Sequence, residues 1–109
     1  MTTTSGAPAT AGLPLSSTQR LQIRDLLHQM WRALVVDITN LAVRFHSHEE
    51  PAVAARLAGV RRRLVDVESA LSRLDSGSYG RCDGCERLIA FELLEAVPEC
   101  RYCQRCQPR

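Results

Sequence analysis

An apolar repeat in the middle of the chain constrains the fold more than any other feature. Val53, Leu57, Val60, Leu64, Val67, Leu71 and Leu74 follow one another at spacings of 4, 3, 4, 3, 4 and 3. A helix with such a seam hides it only by lying along another helix. The partner is upstream. From Ser17 to about Phe45 there is no Pro or Gly, and Ile23, Leu27, Met30, Leu34, Ile38, Leu41 and Phe45 recur at spacings of three and four, the pattern of a second amphipathic helix. Ser47-His48-Glu49-Glu50-Pro51 separates the two runs, because proline suits the first turn of a new helix and not the interior of an old one. So short a turn forces the helices antiparallel. The second helix is expected from about Pro51 to Asp75, a rod of roughly 37 Å at about 1.5 Å per residue. Gly77 supplies the left-handed residue that commonly ends a helix. The predicted architecture is therefore mainly α: an antiparallel coiled-coil hairpin over 17–77 with its tip near 46–51.

At 109 residues the chain has room for one domain, and 5% aromatic content suits helices packed along a seam better than a sizeable globular core. Residues 1–16 carry no positive charge and no continuous apolar run, so they are expected to be a disordered tail and neither a secretion signal nor a membrane span. The cytoplasm is the expected compartment. Net charge is +2 and all fourteen basic residues are arginine, which makes bulk attraction to nucleic acid weak. Arg61-Arg62-Arg63 reads as a solvated helix face, with contact to an acidic partner or a phosphate backbone as the sharper alternative. Trp31, Val35, Val36 and Val43 lie off the main stripe of the first helix. They either pack within the chain or offer a surface for a partner or for self-association.

The segment after Gly77 carries the chemistry. Cys82-Asp-Gly-Cys85 and Cys103-Gln-Arg-Cys106 are two CxxC pairs separated by seventeen residues, the spacing in which two knuckles each present two thiolates to one tetrahedral ion. Four cysteine ligands close the coordination sphere, so the expected cofactor is a single structural zinc, not a catalytic one. Arg81, Arg87, Arg101 and Arg105 flank the site and offset its negative charge. Cys100-Arg-Tyr-Cys103 is also a CxxC, which makes Cys100 a possible alternative ligand. No phosphate loop, no nucleophile with a paired base and no acid pair points to an enzyme. A thiol-based redox sensor and a zinc-stabilised adaptor binding through the first helix are the alternative functions.

From Ala70 onward the chain resembles the C-terminal zinc finger of the DksA/TraR family, bacterial factors that act on RNA polymerase. The resemblance rests on Ala70-Leu71, Arg73-Leu74, Gly77, Tyr79-Gly80, Cys82, Cys85, Ile89, Leu94-Glu95-Ala96, Pro98, Cys103 and Cys106, in register over about thirty-seven residues. It implies a hairpin that enters the secondary channel of RNA polymerase and alters transcription without sequence-specific DNA contact or membrane association. In the family, an Asp-x-x-Asp-x-Ala pattern at the tip reaches toward the polymerase active site. Here the tip offers Glu49 and Glu50 beside His46 and His48 as candidate partner-binding residues; acids at a helix start are also favoured by the helix dipole alone. The family's glycine after the second cysteine is Glu86 in this chain, and Leu93 stands where the family usually has arginine.

Overall fold

The computed structural model describes residues 13–44 and 50–107. Helix α1 spans Ser17–Arg44 and α2 spans Pro51–Ser76. A short helix, α3, covers Phe91–Ala96 within the cysteine segment. Antiparallel pairing of α1 and α2 is fixed by contacts along their length. Arg24 pairs with Asp75 at 3.2 Å, the Trp31 indole N–H donates to Glu68 at 3.1 Å, and Leu41 and Val53 line the same cleft near the tip. The molecule is accordingly a narrow body, 61 × 30 × 19 Å.

Why the helices start and stop where they do is written in their termini. Ser16 and Gln19 form a reciprocal capping box at α1: the Gln19 N–H donates to the Ser16 hydroxyl at 3.1 Å, and the Ser16 N–H donates to the Gln19 amide oxygen at 2.9 Å. Two of the orphan donors of the first turn are thereby satisfied. Pro51 occupies the first turn of α2, where its missing N–H costs nothing. At the other end Gly77 adopts φ +86, and the N–H groups of Gly77, Ser78 and Tyr79 all converge on the Arg73 carbonyl. Only a residue without Cβ takes that left-handed turn cheaply.

Ile23, Leu27, Leu34 and Leu41 of α1 and Val53, Leu57, Val67, Ala70 and Leu74 of α2 are buried between the helices. Each large side chain among them contributes about 1.5–3 kcal/mol of transfer free energy. Met30, Val60, Leu64 and Leu71 complete the seam half-buried, and Phe45 lies outside the described residues. The core does not end with the hairpin. Tyr79, Cys82, Ile89, Leu94 and Cys103 join Val67, Ala70 and Leu74 in one apolar cluster, so the cysteine module sits on the base of the rod.

Two expectations change. The tail expected over residues 1–16 does not reach Ser16, which caps α1, nor Leu15, which packs on the core beside Gly80; hydrophobic contact extends the folded unit upstream, and residues 1–12 lie outside the described part. The arginine triplet is not uniformly solvated, because Arg63 Nε donates to Glu99 of the cysteine module at 3.0 Å. Off the main stripe, Trp31 packs against the core, whereas Val36 and Val43 remain 56% and 65% exposed. No described helix is long and apolar enough to cross a membrane.

Candidate metal centre

The chain leaves α2 at Gly77, turns at Gly80 and forms the first knuckle, which is closed by an antiparallel bridge between Arg81 and Leu88. Cys82 N–H donates to the Arg87 carbonyl at 2.8 Å, and Ile89 N–H donates to the Gly80 carbonyl at 2.7 Å. Helix α3 then carries the chain across, and Leu94 plugs the interior. Tyr79 donates its hydroxyl to the Pro98 carbonyl at 2.8 Å, pinning the return segment. Burial pushes that phenol well above its ordinary range, so it stays protonated as the donor. The second knuckle follows at Cys103–Cys106, with Cys106 N–H donating to the Cys103 carbonyl at 3.0 Å. Asp83 N–H bonds the Arg101 carbonyl at 2.8 Å and ties one knuckle to the other.

This arrangement brings the sulfurs of Cys82, Cys85, Cys103 and Cys106 within 4.8 Å of one another. All five cysteines are free thiols. A tetrahedral ion bound by four thiolates at about 2.3 Å requires sulfurs about 3.8 Å apart, and Cys85 and Cys103 stand at 3.8 Å. The backbone is set for the anionic form. Gly84 N–H and Cys103 N–H both donate to the Cys82 sulfur, at 3.3 and 3.2 Å. Burial pushes the Cys82 thiol up, yet the N–H groups of Cys103, Cys85 and Gly84 outweigh it and hold it at about 6. Cys106 moves the other way, to about 12, because its thiol proton is shared with the Cys103 and Cys82 sulfurs and partial burial adds to the effect. The cluster thus holds one ready thiolate and surrenders further protons as an ion enters.

Cys100 is not part of the cluster. Its thiol donates to the Tyr102 carbonyl at 2.8 Å and accepts from the Gln107 amide at 3.3 Å. Burial raises its pKa. Of the two overlapping CxxC readings, the one using Cys103 and Cys106 is the one the fold brings together with Cys82 and Cys85.

The ligands divide by environment. Cys82 and Cys103 face the apolar core, while Cys85 is exposed and Cys106 half-buried beside an open cleft flanked by Arg87 and Arg105. Two further residues carry the geometry. A Cβ on Gly84 would stand 3.1 Å from both Cβ and Sγ of Cys106, so the Asp-Gly spacer is what lets the knuckles close. The knuckle-ending Glu86 takes φ +66, the described non-glycine residue with a left-handed backbone, and its carbonyl accepts from Arg81 at 2.9 Å. That conformation costs about 1–2 kcal/mol for a residue with a Cβ, which is why glycine suits such a position.

Glu50 is exposed at the start of α2. Glu49, His46 and His48 lie outside the described residues. Sequence reasoning named Tyr79 and Arg73 only as residues of the resemblance, gave no role to them or to Gly84, and missed the contacts of Arg101. Arg101 donates to the Ser69 hydroxyl of α2 at 2.7 Å and lies 3.9 Å from Asp83. The glycine was legible in the Cys-x-Gly-Cys spacing; the arginine contacts required the fold.

No family model matches the chain. It is 37% identical over 43 residues to an uncharacterised protein of Aquifex aeolicus strain VF5, a match covering 39% of this chain and 30% of that relative. No solved structure matches.

Proposed function

We propose that the four-cysteine centre holds one structural zinc ion and that the hairpin it supports acts as a non-enzymatic regulator of transcription, binding RNA polymerase through its secondary channel without reading a DNA sequence. The observation that carries the first half is the donor set: four free cysteine sulfurs within 4.8 Å of one another, with two backbone N–H groups on the most buried one. Four soft thiolate donors around one point are the donor set of a structural zinc site. When bound, the ion supplies folding free energy and no open coordination position.

Support for the second half is the resemblance from Ala70 to Cys106, together with a hairpin only two helices thick, whose tip is remote from the finger. A rod of that kind fits a narrow channel and leaves the finger outside it. In this reading Glu49 and Glu50 are the groups that meet the polymerase. The alternative of an adaptor rests on Val36 and Val43, which leave apolar surface uncovered on α1.

The test is binding of the zinc-loaded protein to core RNA polymerase of its own organism, with Glu49→Ala/Glu50→Ala in parallel. Saturable binding that a known secondary-channel factor competes away is the expected result. Absence of binding at micromolar concentration sinks the polymerase reading and leaves the adaptor.

A further inference from the structure

We infer that the outer face of α1 is the interface of a symmetric dimer, in which the α1 helices of two copies of this chain lie antiparallel about a two-fold axis between His28 and Gln29. The inference rests on neither the metal nor the polymerase reading. Leu21, Asp25, Arg32, Val36 and Val43 stand at spacings of 4, 7, 4 and 7, which keeps them on one side of a helix with about 3.6 residues per turn. That side is opposite the seam of Ile23, Leu27, Leu34 and Leu41, and all five side chains are exposed, Leu21 by 62%. Asp25 and Arg32 are not paired on their own helix: no Arg or Lys lies three or four residues from Asp25, and no Asp or Glu lies three or four from Arg32. Among the described residues the ion pairs are Arg24 with Asp75, Arg63 with Glu99 and Arg101 with Asp83, so both charges are available to a second molecule.

Charge selects both the occupant of this face and its direction. About an axis midway between residues 28 and 29, Asp25 of one copy falls opposite Arg32 of the other and Leu21 falls opposite Val36. Two-fold symmetry makes each of these contacts twice, as in any isologous interface. His28 meets Gln29 at the centre, and Val43 comes opposite residue 14, beside Leu13, which is 81% exposed. An acid therefore faces a base, and an aliphatic side chain faces an aliphatic one. The other arrangements lack this match. Sliding the helices by one heptad moves the axis to Arg32 or to Asp25, which sets Arg32 against Arg32 or Asp25 against Asp25, and a parallel pairing does both. Like charges opposed across an interface are disfavoured, so the pattern specifies one register and rejects its neighbours. Self-complementarity within a single helix is what a second copy requires and a different partner does not. The apolar share of the face is small, which makes the dimer a reversible, concentration-dependent one.

The experiment is sedimentation equilibrium of the full chain under reducing conditions, from micromolar to millimolar concentration. The samples are wild type, Asp25→Arg, Arg32→Asp, an equimolar mixture of these two variants, and the double variant Asp25→Arg/Arg32→Asp. Wild type is expected to dimerise reversibly. Each single reversal opposes like charges at both symmetric contacts and is expected to weaken the dimer about tenfold or more. The mixture and the double variant restore opposite charges at both contacts, and each is expected to return to within about threefold of wild type. Circular dichroism at the helix band checks that these exposed substitutions leave the hairpin folded. A wild-type chain that stays monomeric throughout overturns the inference and leaves the face to a different protein. A dimer that both single reversals leave unchanged, or one whose loss neither the mixture nor the double variant recovers, overturns it as well.

Discussion

Leu94→Ala separates a finger that is folded by its metal from one that merely hosts it. Leu94 is fully buried at the centre of the module, on the single turn-and-a-half of α3, and its Cδ1 comes within 3.6 Å of the position a Cβ on Gly80 would take. Leucine-to-alanine changes at such sites cost about 2.7–5.0 kcal/mol, depending on how far the surroundings collapse. The module is small and bounded by loops, so partial collapse places the cost near the low end, about 3 kcal/mol. If the finger is unstructured without metal, ion binding must supply its folding free energy, and the whole loss appears as weaker binding. That amounts to roughly a hundredfold in apparent zinc affinity. Leu57→Ala is the control: Leu57 is equally part of the hairpin seam but lies outside the cluster that contains the finger. It should lower helix stability and leave zinc affinity within about twofold, as expected for distant independent sites. Chelator competition gives the affinities, and circular dichroism at the helix band gives the stabilities. Unchanged zinc affinity in Leu94→Ala would refute the reasoning, because it requires a finger already folded before the ion arrives.

Three further perturbations follow from the same geometry. Gly84→Ala places a methyl group 3.1 Å from the Cys106 sulfur; zinc affinity should drop by about tenfold or more, and an unaffected variant would mean the knuckles close with room to spare. Tyr79→Phe deletes the 2.8 Å bond to the Pro98 carbonyl and leaves a buried acceptor unpaired, so the finger should lose about 1–3 kcal/mol, read as weaker zinc binding with α1 and α2 intact. Proton competition should make binding weaker as pH falls. Cys82, held at about 6, no longer competes above that value, whereas Cys106, raised to about 12, must release its proton throughout the neutral range. Affinity should therefore rise by at least about one log unit per pH unit between about pH 7 and 9, and a flat profile would contradict a thiolate ligand at Cys106.

The hairpin was legible because its cause is local and repetitive. An apolar seam at 3.5-residue spacing admits few packings, and Pro51 and Gly77 are boundary residues for stereochemical reasons that hold in any fold. The four ligands were legible for a similar reason, since paired CxxC knuckles impose their own spacing. The exclusion of Cys100 was not. Both overlapping CxxC readings satisfy the spacing, and only the Tyr102 and Gln107 contacts of the Cys100 sulfur decide between them. Contacts of the arginine side chains that join α2 to the finger were hidden as well. Arg63 with Glu99, Arg101 with Ser69 and Arg73 over Tyr79 join α2 to a module whose docking face is set by tertiary packing. Ser16 was hidden for another reason: the threonine- and alanine-rich run before α1 has the composition of a tail, and the capping role of Ser16 shows only when it is read against Gln19.

The most direct test of the metal centre is the zinc stoichiometry of the intact chain by native mass spectrometry, with Cys82→Ser, Cys106→Ser and Cys100→Ser alongside wild type. One zinc ion in wild type and in Cys100→Ser, with none retained by Cys82→Ser or Cys106→Ser, is the expected result. A full complement of zinc in Cys106→Ser, or loss of the ion in Cys100→Ser, would contradict the ligand set on which the centre is built.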